Sequence, residues 1–300
     1  MRDYIVFALI FGSLPFCFLK PWIGMLVFVG IGLLNPHRLT WGPAYEFPFA
    51  QYVAITTLAG LVFSPDRGRL PRERETWLII ALGAFFTLTT LIALVPQNAW
   101  RKWDLVIKIY IMTVASLFLL QEKIRLRYLV LTMALSIAFF SVKGGFFSIL
   151  TGGRYTLYGP TRTFIDDNNA LALAELMILP LLFHLGRSEK NRLFGRFLYL
   201  AAFLTLASII FSYSRGALVG LAALGFVFVA SGKKWTYAAV GGVILLAAVP
   251  LIPDAWFQRM STIGTYRQDA SAMGRINAWH FAINVALDRP LTGGGFRVFN

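Results

Sequence analysis

A single arginine, Arg215, lies near the middle of an apolar stretch that runs from residue 197 to residue 231. One helix across a hydrocarbon core of ~30 Å needs ~20 residues, so this stretch is long enough for two helices joined by a tight turn. The turn falls in the motif FSYSRGA at residues 211–217, which places Arg215 beside the N-terminus of the second helix. Free backbone N–H groups at that position favour an anion, so we predict that Arg215 binds a lipid-linked phosphate.

A second arginine, Arg275, stands at the start of the segment GRINAWHFAINVALD at residues 274–288. Apolar residues recur along it at steps of three or four, which predicts a short amphipathic helix with one apolar face: Ile276, Trp279, Ile283 and Leu287. A guanidinium at a helix N-terminus opposes the dipole of that helix. We therefore expect Arg275 to form a two-arginine phosphate clamp with Arg215.

The segment at residues 35–50, NPHRLTWGPAYEFPFA, is rich in proline and aromatic residues and is not expected to form a regular helix. Aromatic faces stack on pyranose rings, and the same side chains also suit an aromatic belt at the membrane interface. His37 and Arg38 in this segment are predicted to bind a phosphate, or alternatively to cap the loop.

The segment at residues 143–169 contains GGRYTLYGPTRTFIDDNN and leads into the next apolar run. Its glycines, with Pro160, predict turns: Gly144, Gly145, Gly152, Gly153 and Gly159. Aspartate and asparagine before a helix are typical of an N-cap, and their side-chain oxygens can alternatively orient a sugar hydroxyl or the acceptor. The further candidate substrate-binding residues are therefore Arg162, Asp166, Asp167, Asn168 and, beside Arg215, Tyr213.

The chain offers little support for a metal or a disulfide. Asp166 and Asp167 are adjacent carboxylates that could ligate a divalent cation, but no histidine or cysteine supports them. The one cysteine, Cys17, lies inside the first apolar run and has no partner for a disulfide. We predict no metal site and no cofactor.

The composition is that of a membrane protein, with 57% hydrophobic residues, 14% charged residues and a mean hydropathy of +0.66. An open sheet would leave backbone groups unpaired in lipid, and the runs are too uniformly apolar for an alternating barrel. We predict an all-α fold: a single integral membrane domain over residues 1–300, forming a polytopic helical bundle with outward-facing loops. The net charge of +14 is spread between the apolar runs, which argues against nucleic acid as a partner.

Four loops carry dense positive charge: 64–76, 121–127, 186–196 and 231–235. The positive-inside rule places these loops in the cytoplasm, and the alternate loops, with Arg215, then face outward. The predicted crossings that follow from this are 51–63, 77–95, 105–120, 128–149, 170–185, 197–212, 216–230 and 235–252. Residues from 253 onward are predicted to begin a large periplasmic segment.

The start of the chain allows two topologies. Residues 5–19 and 22–34 are short for independent crossings, and the break at Lys20 and Pro21 makes them either one bent crossing or a tight pair. The total is therefore nine or ten crossings. No signal-peptidase site follows the first run, so we interpret it as a retained anchor.

Several of these motifs together resemble the O-antigen ligase and polymerase superfamily. They are KPWIGMLVFVGIGLLNPHRLTWGPAYEFPFAQ, IDDNNALAL, SRGA and RINAWHFAINVALDRPLTGGGF. The sequence is most similar to the exosortase-associated branch, whose members are described as probable O-glycosylation ligases. The resemblance extends along nearly the whole chain.

The resemblance implies a multi-pass inner-membrane enzyme with a periplasmic active face. Such an enzyme transfers a glycan from an undecaprenyl-pyrophosphate carrier to a lipid, sugar or protein hydroxyl. Arg215 and Arg275 occupy the motif positions implied to hold the pyrophosphate. The superfamily also implies a histidine in a further outward segment beyond Asn300, so the sequence is expected to be a fragment or to depart from the family there. His280 is a weaker candidate for that base and is most simply a surface residue.

Three alternatives to a ligase remain. A polymerase of the same superfamily differs only in its acceptor. A secondary transporter of an anionic solute would show internal repeats and charges at mid-membrane, where only Glu175 is found, and that residue can equally form a helix–helix hydrogen bond. A non-catalytic scaffold would not need Arg215 at so tight a turn. The expected partners are the lipid-linked glycan, its acceptor and membrane lipids.

Overall fold

The chain is helical throughout the part that the structure describes, so the predicted all-α fold is confirmed. The computed structural model describes residues 1–65, 68–230, 256 and 270–299. Within these ranges a short 3₁₀ helix, Pro36–Leu39, accompanies the α-helices: α1 (Arg2–Leu19), α2 (Pro21–Leu34), α3 (Phe49–Phe63), α4 (Arg74–Leu91), α5 (Pro96–Leu119), α6 (Lys123–Leu150), α7 (Asn168–Ser188), α8 (Arg192–Ile210), α9 (Arg215–Ala230) and α10 (Ala270–Asp288).

Four of these helices, α1, α6, α7 and α8, are long and apolar enough to cross a membrane. The shorter apolar helices are α2, α3 and the Arg215–Val227 part of α9. Every predicted crossing up to residue 230 corresponds to a helix. The predicted crossing at 235–252 and the loop at 231–235 lie outside the described residues. The chain is therefore a multi-pass membrane protein.

Contacts of the first turns of α1 limit how α1 and α2 can be connected. Asp3 Oδ1 accepts a hydrogen bond of 3.1 Å from the backbone N–H of Ala44, and the rings of Phe7 and Phe47 meet at 5.0 Å. A single continuous helix over α1 and α2 would extend ~50 Å, whereas the residues between Leu34 and Ala44 can span at most ~35 Å. The contact therefore excludes a straight helix that runs through α1 and α2. The choice between one bent crossing and a tight pair remains a prediction.

The chain divides into two compact units. The first contains residues 1–8 and 29–47 and the described part of 127–264, and the second contains residues 9–28, 48–126 and the described part of 265–300. The proposal that residues 1–300 form a single domain remains a prediction.

The core of the first unit is built from α6, α7 and α8. Its buried side chains are mainly leucine, isoleucine and alanine, with Leu182 and Leu198 fully buried. Gly144 and Gly145 lie inside α6, so the predicted turns at these two positions are wrong, and the loop begins at residue 151. The physical reason is helix packing: a Cβ on Gly145 would collide with the backbone carbonyl of Leu204 in α8. The turn predicted at Gly152 and Gly153 is confirmed, since both have positive φ angles.

Replacing Gly145 with alanine is expected to destabilise the folded protein by ~1–3 kcal/mol, because the added methyl group meets backbone that cannot rotate away. Gly225→Ala in α9 is the matched control, since the described residues leave open space around Gly225. The measurement is thermal unfolding of the purified variants in detergent. Equal melting temperatures for the two variants would contradict the close α6–α8 contact.

The second unit is held by contacts between α4 and α5 and at their connection. Trp103 Nε1 donates a hydrogen bond of 3.1 Å to Thr87 Oγ1, and the hydroxyl of Tyr110 donates to the carbonyl of Ile79. After α10 the chain returns to the α4–α5 loop, where Arg289 Nη1 donates to the carbonyl of Ile92 at 3.0 Å. The α4–α5 loop and the segment after α10 were both predicted to face outward, and within this unit they lie together.

Candidate functional site

Three segments of the first unit meet at one end of its helices: residues 35–47, 151–167 and 211–214. The hydroxyl groups of Tyr45 and Thr161 are hydrogen-bonded at 3.1 Å, which joins the first two segments. The hydroxyl of Tyr213 donates a buried hydrogen bond of 2.8 Å to the carbonyl of Gly153, which joins the third. We call these three segments the loop cluster. All three were predicted to share the outward face, and the structure brings them together.

The predicted cytoplasmic loops of this unit meet at the other end of α7. Arg127 Nη2 and Glu189 Oε2 form an ion pair of 2.7 Å, which joins the start of α6 to the α7–α8 connection. The hydrogen bonds from the backbone N–H of Asn191 and from Arg127 lower the pKa of the Glu189 carboxyl below its ordinary value. The alternation of loops between two ends is therefore as the charge pattern predicts.

Arg215 is the first residue of α9 and follows a turn at residues 211–214, so the predicted tight connection is confirmed. Ser214 Oγ accepts a hydrogen bond of 3.2 Å from the backbone N–H of Ala217, which is the geometry of an N-cap. Tyr213 has a φ of 58°, and burial raises the pKa of its hydroxyl. The half-buried Arg215 thus stands beside a capped helix N-terminus.

The start of α7 holds this turn in place. Asp167 Oδ1 accepts hydrogen bonds from the backbone N–H groups of Asn169 and Ala170, so the predicted N-cap is confirmed. The buried Asn168 donates through Nδ2 to the carbonyl of Ser212 at 2.9 Å, and Asn169 Oδ1 accepts from the hydroxyl of Ser214 at 2.8 Å.

Among the predicted substrate-binding residues, Asp167 therefore caps α7, Asn168 contacts the turn before Arg215, and Tyr213 joins that turn to Gly153. Direct contact of any of them with substrate remains a prediction, as it does for Asp166, which is exposed at the end of the same segment.

Arg38 and Arg162 converge on one carboxylate, Glu46. Arg162 Nη1 lies 2.7 Å and Arg38 Nη1 lies 3.3 Å from the same oxygen, Glu46 Oε1. The guanidinium of Arg38 also stacks over the ring of Tyr45, 4.6 Å from its centroid. The sequence predicted a role for both arginines but gave none to Glu46, although Glu46 is the one acid in the segment at residues 35–50.

Backbone conformation singles out the same region. Left-handed φ angles are uncommon outside glycine and cost of order 1–3 kcal/mol each, and they concentrate at functional sites. Four residues other than glycine have such angles in the part of the chain that the structure describes. Three of them, Asn35, Arg162 and Tyr213, lie in the loop cluster, and the fourth is Arg297.

The cluster carries cationic side chains that affect neighbouring groups. Burial, and then the charge of Arg38, lowers the pKa of His37 below its ordinary value. The hydrogen bond from Thr161, followed by contributions from Arg38 and Arg162, lowers the pKa of the Tyr45 hydroxyl. Both shifts are consistent with a region that favours a bound anion.

Glu175 is fully buried in α7, and Ser208 of α8 donates a hydrogen bond of 2.8 Å to its Oε1. The helix–helix hydrogen bond that was one of the two interpretations of Glu175 is therefore present. Its Oε2 has no hydrogen-bond partner among the described residues. Ser208 lies just before the turn that carries Arg215, so this contact is close to the loop cluster along α8.

Arg275 and His280 belong to the second unit, where both are exposed on α10. The predicted helix is present. Its predicted apolar face is largely exposed, with 65% of Trp279 and 76% of Leu287 accessible. The clamp between Arg215 and Arg275 and the role of His280 as a base remain predictions. Residues 257–269, which connect to α10, lie outside the described residues.

Two families match the sequence. Residues 1–190 match a family of unknown function (DUF5935), and residues 200–300 match the O-antigen ligase family (Wzy_C). The first match contains Arg38 and Arg162, and the second contains Arg215 and Arg275. No curated protein and no solved structure matches the chain.

Proposed function

Because the chain belongs to the DUF5935 family and its last third matches the O-antigen ligase family, we propose that it is a membrane glycan ligase. It transfers a glycan from an undecaprenyl-pyrophosphate carrier to the hydroxyl of a protein or sugar acceptor. The reaction takes place at the periplasmic face of the inner membrane. Membership of the exosortase-associated O-glycosylation branch is part of this proposal.

The observation that carries the proposal is the loop cluster. It brings Arg38 and Arg162 together on Glu46, at the end of the helical unit where α9 begins with Arg215. Guanidinium groups form charge-assisted, bidentate contacts with phosphates. Arg275 of α10 is proposed to complete the site as the partner of Arg215.

The chemistry requires few groups. The acceptor oxygen attacks the anomeric carbon, the bond from that carbon to the pyrophosphate oxygen breaks, and the configuration inverts. The arginines neutralise the charge that develops on the leaving pyrophosphate, which lowers the barrier without a metal. A base that removes the acceptor proton contributes a further ~10²- to 10⁴-fold. His280 of α10 is a weak candidate for this base.

Two alternatives receive less support. A polymerase of the same superfamily would use the same donor site with a different acceptor, so the transfer product distinguishes it. A transporter would place its charged groups within the membrane, whereas the arginines of the loop cluster lie at helix ends. Glu175 is the exception, because it lies inside a helix that is predicted to cross the membrane. Its hydrogen bond with Ser208 gives it a role in helix packing.

The test is glycan transfer from a purified lipid-pyrophosphate donor to protein and sugar acceptors, with and without EDTA. We expect transfer to one acceptor class, with the same rate in the chelator, because Asp167 is engaged as a helix cap. A loss of activity in EDTA that is restored by a divalent cation would contradict the metal-independent mechanism. No transfer to any acceptor by the full-length protein would contradict the ligase itself.

A further inference from the structure

Glu46 neutralises only part of the charge it contacts. Two guanidiniums share its single oxygen Oε1, so the group of Arg38, Glu46 and Arg162 retains a net positive charge. Each arginine uses only Nη1 in this contact, which is not the paired fork geometry of a bidentate arginine–carboxylate bridge. A ligand with more oxygens and more charge would make better use of both guanidiniums.

Contacts other than Glu46 hold the side chain of Arg38 and fix the backbone at Arg162. Arg38 stacks on Tyr45, whose hydroxyl is bonded to Thr161, and only 17% of the Arg38 side chain is exposed. Arg162 follows Thr161 directly and has a φ of 60°. The cations are therefore arranged by the packing of segment 35–47 on segment 151–167, and Glu46 can leave without undoing that packing.

Glu46 itself is weakly held. Its side chain is 63% exposed, and exposed ion pairs are worth ~0–1 kcal/mol. Water and ligands can reach the pair, because the Arg162 side chain is 71% exposed.

We propose that Arg38 and Arg162 form a diphosphate-binding site in which the carboxylate of Glu46 is an internal substitute for a phosphate group. A diphosphate displaces Glu46 and takes over the contacts to both guanidiniums. Glu46 therefore lowers the affinity of the site for its ligand and shields two neighbouring cations when the ligand is absent. That the diphosphate belongs to a lipid-linked glycan rests on the proposed function.

The proposal predicts the sign of a substitution effect. In Glu46→Gln the competing charge is lost while the side-chain volume is kept. The dissociation constant for inorganic diphosphate, and for a short prenyl diphosphate, is expected to fall about five- to tenfold. Binding is measured by calorimetry on the purified full chain in nanodiscs of neutral lipid. If Glu46 only supported the loops, the same substitution would weaken binding.

Asp104→Asn is the matched control. Asp104 pairs with Lys108 at 2.7 Å and is 62% exposed, so the substitution makes the same change in net charge at an equally exposed ion pair. We expect it to leave the dissociation constant unchanged. An equal gain in both variants would show a general charge effect and overturn the proposal, as would a gain in Glu46→Gln that survives when Arg38 and Arg162 are both replaced by alanine.

The ligand source is tested in the same experiment. Inorganic phosphate and nanodiscs containing anionic lipid are used as competitors, and we expect the diphosphates to bind more tightly than either. Preferential binding of the anionic lipid would overturn the assignment to diphosphate. Tighter diphosphate binding in Glu46→Gln together with no glycan transfer by the wild-type protein would uphold this site and contradict only the ligase.

Discussion

Replacing Arg215 with alanine is expected to reduce glycan transfer by ~10²- to 10³-fold, because it removes a cation that we propose neutralises the charge on the leaving pyrophosphate. Lysine at this position is expected to restore little, since a single ammonium cannot form the bidentate fork. The amount of folded protein is expected to stay the same. Contacts of Asn168, Asn169 and Tyr213 hold the turn at 211–214.

Arg192→Ala provides a matched control for Arg215. Arg192 is likewise the first residue of a helix, α8, and follows an N-cap residue, Asn191. It lies at the other end of the first unit, where the loops are predicted to be cytoplasmic. Its replacement is expected to leave transfer unchanged. Full transfer by Arg215→Ala, or equal losses in both variants, would remove Arg215 from the site.

A separate prediction concerns the proposed clamp between Arg215 and Arg275. Arg275→Ala is expected to lose as much transfer as Arg215→Ala. If the two arginines bind one pyrophosphate as a unit, the double variant should be scarcely worse than either single variant. Multiplicative losses in the double variant would show that the two residues act independently, and unchanged transfer in Arg275→Ala would exclude it from the site.

Replacing Glu175 with leucine is expected to destabilise the protein by ~2 kcal/mol and to lower transfer, because Ser208 loses its acceptor inside the helical core. Glu175→Gln keeps an oxygen at the position of Oε1. It is therefore expected to preserve stability and most of the activity. Comparing the leucine and glutamine variants separates the two interpretations of Glu175, a functional charged group and a helix–helix hydrogen bond.

The measurements for Glu175 are thermal unfolding and the rate of transfer for both variants. Ser141→Ala is the control, because it removes a different hydrogen bond from the same helical core. Ser141 of α6 and Thr205 of α8 form this buried bond at 2.7 Å. A complete loss of transfer in Glu175→Gln, with normal stability, would show that the carboxyl group itself is required. The role assigned here to helix packing would then be wrong.

The helices and the turn that carries Arg215 were predictable from the sequence. Apolar runs bounded by charged loops leave helices as the only way to pair backbone groups in lipid. The length of the run at 197–231 required a turn near its middle, and the structure has one at 211–214. The helix cap at Asp167 was also predictable, because an acidic side chain before an apolar run has a local role that does not depend on tertiary structure.

Contacts between distant segments were not predictable. Glu46 and Arg162 are separated by 116 positions, and no local pattern indicates that they form an ion pair. The role of a glycine is ambiguous in the sequence for a related reason. Gly153 forms a turn, whereas Gly145 allows close contact with a neighbouring helix, and only the packing of distant segments distinguishes the two roles. That α1 and α2 do not form one straight helix likewise became clear only from the contact of Asp3 with Ala44.

The central claim is that the loop cluster binds the pyrophosphate of a lipid carrier. The most direct measurement is to map by mass spectrometry where a photoreactive prenyl diphosphate cross-links to the protein in nanodiscs. We predict cross-links in residues 35–47, 151–167 and 211–217. These cross-links should be lost when unlabelled diphosphate competes for the site. Competed cross-links confined to residues 186–196, at the other end of α7, would contradict it.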